Sequence, residues 1–224
     1  MADDVAYKLF KDDLTRRPEP SLQFIDGASL LAFGDKFRVL RYPKLPGTWL
    51  PRFGGHLRAA MRALRKVHKK GWVHGDIRLH NLVFSEASKR LGDGNEEASA
   101  GLGDHHGIRC YAHLIDFDFS REAGESYPVR LSRVTDGQRH PSAKEDSPML
   151  PSHDCFSLNF LLHQFKPRDR SLRDAYRAAL ETLDADSDSF LKDARVALKP
   201  FASVELKIRS EFKTNIGFKD PAAV

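Results

Sequence analysis

The stretch Gly71-Trp72-Val73-His74-Gly75-Asp76-Ile77-Arg78-Leu79-His80-Asn81-Leu82-Val83-Phe84 sets a carboxylate, Asp76, and an amide, Asn81, five residues apart on a polar loop that runs into an apolar strand. A second carboxylate, Asp116, ends another apolar run in Leu114-Ile115-Asp116-Phe117-Asp118. Burial of both strands would fix these polar groups rigidly at one place. Two oxygen ligands for a hard cation and one further carboxylate are what magnesium-nucleotide chemistry requires, because magnesium prefers carboxylates, phosphates and water to softer ligands.

The surrounding pattern must position that loop. Residues 5–10 alternate as a strand does, and residues 11–21 hold charges and two prolines, so any helix there is short. Strands are expected at 23–33 and 36–41, with Gly34-Asp35 as a tight turn between them. Residues 42–47, with two prolines and a glycine, read as a linker. From 51 to 70 Leu57, Ala60, Met61, Leu64 and Val67 recur at helical spacing and Gly71 stops the pattern, which predicts an amphipathic helix of about five turns. Apolar strands follow at 81–84 and 112–117. Between them residues 85–107 carry Gly92, Gly94, Gly101, Gly103 and Gly107 and read as a flexible insertion. Residues 118–151 lack periodicity and read as a long loop. Helical patterns return at 152–165, 171–183 and 189–198, followed by a short tail.

The 224 residues are 41% hydrophobic and 30% charged with a net charge of +5, a globular balance that excludes wholesale disorder and collagen-like architecture. Apolar runs fall far short of the ~20 residues that span a bilayer, and Met1-Ala2-Asp3-Asp4 opens no secretory signal, so no membrane partner is expected. Cys110 and Cys155 have no metal-binding spacing, which predicts two thiols in a reducing, intracellular compartment. His105, His106 and His113 complete no zinc ligand set with Cys110. The basic residues of 52–70 could attract a nucleic acid backbone, but the apolar stripe of the same segment favours a core-packed helix with a solvated basic face.

His74-Gly75-Asp76-Ile77-Arg78-Leu79-His80-Asn81 resembles the catalytic loop H-R-D-L-x-x-x-N of the protein-kinase superfamily, and Asp116-Phe117-Asp118 resembles its D-F-G in the right order downstream. The resemblance implies an α+β, protein-kinase-like fold: a small truncated β N-lobe at 1–42, a hinge at 43–50 and a mainly helical C-lobe at 51–224. It implies ATP and magnesium as cofactors and phosphoryl transfer to a protein Ser/Thr hydroxyl. Asp76 would orient or deprotonate the hydroxyl, Arg78 would neutralise the transferring group, and Asn81 and Asp116 would hold magnesium. Val5-Ala6-Tyr7-Lys8 resembles V-A-I-K and makes Lys8 the partner of the nucleotide phosphates. His153-Asp154-Cys155-Phe156-Ser157-Leu158 resembles the start of the large-lobe helix whose Asp supports the catalytic loop, so Asp154 and His74 are expected as structural support.

The departures from the kinase pattern carry their own expectations. Four residues precede Val5, so no Gly-rich loop over the phosphates is expected unless the sequence is a fragment, and Glu19, between two prolines, is the only glutamate ahead of the catalytic loop. Gly75 stands where kinases carry Arg, a form found in small-molecule phosphotransferases and choline-kinase relatives, which opens transfer to an amino alcohol or sugar as a further reading. Asp118 replaces the Gly of D-F-G. A narrower resemblance rests on His74-Gly75-Asp76-Ile77-Arg78, the Asp-Phe-Asp variant, Tyr127-Pro128 and Asp136-Gly137-Gln138-Arg139-His140 ahead of His153-Asp154: these are similar to the kinase-like C-terminal domains of Crinkler effectors and related mobile-element-associated kinases, which implies a cytoplasmic or nuclear site of action, in a host nucleus for an effector. The alternative to catalysis is a pseudokinase acting as a protein-interaction module.

Overall fold

The computed structural model describes residues 5–11, 20–34, 37–88, 108–127 and 138–215. The architecture is α+β, with small antiparallel sheets and several helices.

Strand β1 (Val5–Lys11), helix α1 (Pro20–Phe24), β2 (Ser29–Gly34) and β3 (Phe37–Pro43) come first, and the three strands form one sheet in the order β1-β3-β2. β3 is therefore central, with Lys8 opposite Leu40 and Ser29 opposite Arg41. The segment expected as one strand over 23–33 is instead divided. Pro20 opens α1, since its missing N–H costs nothing in a first helical turn. The helix carries Phe24 onto the rings of Phe117 and Trp72, at 5.3 and 6.4 Å, and the strand starts only at Ser29. Tertiary packing of aromatic rings overrides the alternation there. Of the expected Gly34-Asp35 turn, Gly34 is the last residue of β2, while Asp35, together with Lys36 and Glu19, lies outside the described residues.

The segment after β3 is pinned to the second sheet. Thr48 N–H donates to the Phe84 carbonyl and Phe84 N–H to the Thr48 carbonyl, both at 2.8 Å. A Cβ at Gly47 would fall against the Phe84 carbonyl, so only glycine allows that approach.

Helix α2 (Gly54–Lys69) buries Leu57, Ala60, Met61, Leu64 and Val67 at the centre of the main core. The two-residue β4 (Trp72–Val73) follows, then β5 (Leu82–Ser88) paired antiparallel with β6 (Ile108–Leu114). This ribbon is longer than the sequence indicates. Ser85 pairs with Tyr111 and Ser88 with Ile108, so the first four residues of the expected 85–107 insertion belong to a strand. Its length is set across α2, where Arg62 donates to the Cys110 carbonyl at 3.1 Å and His56 meets the Phe84 ring edge-on at 5.7 Å. The rest of the expected insertion, residues 89–107, lies outside the described residues.

β6 ends at Leu114, so Asp116 lies beyond the strand it was expected to end. The chain leaves the ladder there because Asp116 adopts a left-handed backbone, φ 62° and ψ 64°, before the tight turn Phe117–Phe119. Within the long loop, β7 (Arg121–Glu122) pairs with β4, and Tyr127 and Met149 donate backbone N–H to Ser147 and Glu125.

Helices α3 (Pro151–Leu162), α4 (Arg173–Glu181) and α5 (Phe190–Ala197) occupy the three segments with helical patterns. Two details differ. Phe165, expected in the first of these helices, starts β8 (Phe165–Pro167). The expected tail folds back as β9 (Leu206–Ile208), paired with β8, and is followed by α6 (Ser210–Asn215). Phe165, Leu206 and Ile208 point into the core, which rewards this pairing.

Candidate functional site

The loop after β4 is built around Asp154. This carboxylate lies in the first turn of α3, which Pro151 opens, where the helix dipole favours negative charge. Although 2% exposed, it is fully engaged: Oδ2 accepts the His74 N–H at 2.7 Å and Oδ1 the Gly75 N–H at 2.8 Å, while His68 Nε2 donates to Oδ2 at 3.0 Å. Burial works against its charge, yet the His68 hydrogen bond, the charge of His68 and the His74 backbone N–H together hold its pKa below the ordinary value.

These two bonds turn the chain at Gly75, whose φ is 79°. A Cβ there would lie 2.5 Å from Met149 Cε and 3.1 Å from the Phe119 carbonyl oxygen. Both the backbone conformation and the space demand glycine at this position.

His74 is buried completely, and its ring tautomer follows from its partners. Nε2 lies 3.0 Å from the Ile115 carbonyl oxygen, which can only accept, so Nε2 carries the hydrogen and Nδ1 accepts the Asp76 N–H at 3.3 Å. Burial lowers its pKa, against the opposing pull of Asp154, Asp76 and Asp116, and this keeps the imidazole neutral. The Ser120 hydroxyl donates to its carbonyl at 3.0 Å, and Phe117 packs on its ring at 4.7 Å. Asp154 and His74, the two residues expected as structural support, both belong to this hydrogen-bonded group.

Asp76 follows at once. Arg78 Nη2 forms an ion pair with its Oδ2, and Asn81 Nδ2 donates to Oδ2 and to the Asp76 carbonyl, each at 2.9 Å. The doubly donating amide fixes which end of Asn81 is nitrogen and leaves its Oδ1 as the oxygen suited to a cation. No described donor takes Asp76 Oδ1.

Asp116 arrives through the ribbon. Leu82 pairs with Leu114, and Ile115 N–H donates to the Asn81 carbonyl at 3.0 Å, so Asn81 and Asp116 leave the same end of the β5–β6 pair. Among the described residues no three His, Cys, Asp or Glu side chains gather to hold a metal on their own. One carboxylate and one amide suit a magnesium ion that takes its other ligands from phosphate and water. Lys8 is placed by register alone, on the strand beside β3.

One residue was given no role by sequence reasoning. Arg139 lies near Asp76, Tyr127 and Arg78; burial lowers its pKa, with Asp76 and Tyr127 favouring its charge and Arg78 opposing it. Its Nη2 is buried without a hydrogen-bond partner. Gln138 anchors this turn by donating to the Ile77 carbonyl at 3.4 Å. Its sequence signal was the run Asp136-Gly137-Gln138-Arg139-His140, which marks no element by periodicity.

No known protein-family model matches the chain, and no curated protein matches it. Among the described residues no helix is long and apolar enough to cross a membrane. Cys110 and Cys155 are both buried and not joined in a disulfide, and burial pushes the Cys155 thiol up to about 12.

Proposed function

We propose that the chain is a magnesium- and ATP-dependent phosphotransferase of protein-kinase-like fold that acts on a protein Ser/Thr hydroxyl inside cells. The observation that carries this reading is the hydrogen-bonded group at one end of the β5–β6 ribbon: Asp154 holds the backbone of His74 and Gly75, and Arg78 and Asn81 both converge on Asp76. Asp76 Oδ1 is the atom that would take the hydroxyl proton, and Arg78 would face the transferring phosphoryl group. Asn81 Oδ1 and the Asp116 carboxylate would hold magnesium, whose charge, when bound, neutralises the phosphates. Lys8, on the strand next to the one that enters the 43–50 segment, would pair with the phosphates of the nucleotide.

A second reading, a pseudokinase that binds a protein partner without turnover, is favoured by one observation. The Asp76 side chain is only 1% exposed and its Oδ2 is already paired with Arg78, so the carboxylate is buried and neutralised within the loop.

Thermal stability measured against ATP concentration, with and without magnesium, tests the proposal. Saturable stabilisation that needs magnesium is expected, because a ligand that binds the folded state stabilises it by mass action. No shift at about ten times a millimolar Kd, where ~1.4 kcal/mol is due, would leave the interaction-module reading in front.

A further inference from the structure

Away from the Asp76 loop, β8, α4 and the Arg209 turn enclose a cavity of about 360 Å³ lined by Lys166, Arg173, Arg177, Arg209 and His163, with Tyr176 and Leu180 as its buried floor. No carboxylate lines it among the described residues. The volume suits a small ligand.

The charge is concentrated at a cost to the fold. Lys166 stands directly opposite Lys207 in the β8–β9 pair, where like charges repel. Arg173 is the first residue of α4, at the positive end of the helix dipole. Its guanidinium is held by the Pro167 and Arg168 carbonyls, at 3.1 and 3.2 Å, which fix its direction without neutralising it. Arg209 Nε is buried and has no hydrogen-bond partner. Nearby cations, Arg173 foremost, also hold the Lys207 ammonium below its ordinary pKa.

The acidic groups nearby are few and peripheral. Asp174 pairs with Arg177 at 2.6 Å from a position 91% exposed, the exposed Asp169 feels Arg173, Glu211 feels Lys166 and Arg209, and Glu181 acts on His163. An arginine fixed by neutral carbonyls, a second with an open buried N–H and a lysine pressed against another lysine together describe a site lacking its anion.

We propose that this cavity binds a small ligand carrying two or more phosphate groups. The inference does not depend on the phosphotransferase reading, since no residue of the Asp76 loop or of 114–120 lines the cavity.

Calorimetric titration of the full chain with inorganic pyrophosphate, in a chelator to remove divalent cations, tests it. Saturable one-to-one binding is expected, weakening between about 50 and 300 mM salt. Lys166→Gln combined with Arg177→Gln should weaken it about tenfold or more while thermal melting confirms a folded protein. Asp174→Asn, which frees Arg177 from its carboxylate, should tighten it about twofold or more. Asp76→Asn should leave it unchanged, which separates this site from the proposed nucleotide site. Cosedimentation with phosphatidylcholine vesicles containing phosphatidylinositol bisphosphate, competed by pyrophosphate, assigns the phosphates to a lipid headgroup; pyrophosphate binding without cosedimentation assigns them to a soluble ester. Absence of saturable heat, indifference to the Lys166 and Arg177 changes, or loss of binding in Asp76→Asn would overturn the proposal. So would tight binding of a single-stranded oligonucleotide with none of pyrophosphate.

Discussion

The Asp154 carboxylate accepts the His74 backbone N–H at 2.7 Å, a bond between residues 80 apart in sequence, and its other oxygen takes the next N–H, that of Gly75. One buried side chain thereby fixes the start of the loop that presents Asp76. Removing it strands two buried donors, each worth about 1–3 kcal/mol. Asp154→Ala should lower unfolding free energy by about 3–5 kcal/mol, and urea denaturation measures it. A loss under about 1 kcal/mol would show that the loop is held by other means.

Acid should weaken the fold in two separate windows. The folded pKa of His74 lies below its unfolded value, so the unfolded state takes the proton first and stability declines as pH falls below about 6.5. The folded pKa of Asp154 is also lowered, so its contribution is complete above about pH 4 and is lost as pH falls through the folded pKa. A His74→Gln variant should show a shallower decline of unfolding free energy between about pH 6.5 and 5 than the parent chain, by up to ~1.4 kcal/mol per pH unit. Equal slopes would mean that His74 does not titrate on unfolding in that range.

Asp76→Asn preserves shape and an acceptor for Asn81 but removes the carboxylate proposed as the base. Phosphate incorporation into a protein acceptor should fall by about 10²–10⁴-fold in a protein that is still folded but melts at a lower temperature, because Arg78 loses its counter-charge. Transfer at the parent rate would eliminate the assigned mechanism.

Gly75→Ala meets both Met149 Cε at 2.5 Å and a backbone at φ 79°. A loss of about 1–3 kcal/mol is expected. Met149→Ala alone opens a cavity at a fully buried site and should cost about 2–5 kcal/mol. The double variant should lose less than the sum of the two, because the clash vanishes while the backbone strain stays. Strict additivity would show that Met149 does not limit the space.

Arg139→Gln removes a second guanidinium near Asp76 and Arg78. Phosphoryl transfer should drop about tenfold, with stability within about 1 kcal/mol because a partly buried charge is lost with it. A rate equal to the parent's would assign Arg139 to packing alone.

Local chemistry made the centre of the site legible in the sequence. Asp76, Arg78 and Asn81 lie within five residues of one another, so one loop brings them together by short-range geometry, and α2 follows from the helical spacing of Leu57, Met61, Leu64 and Val67. Long-range packing decided the rest. Phe24 turns into a helix because the Phe117 ring is there to receive it, and the β5–β6 ribbon runs on through Ser88 because α2 supports it. Arg139 reaches Asp76 from a loop without a periodic pattern, and the cavity cations come from β8, α4 and the turn after β9, which meet only because Phe165 and Ile208 pair across the sheet. Sequence determined which groups could react and which short segments could hold them; burial and strand pairing, which act between residues far apart in the chain, determined which of those groups meet.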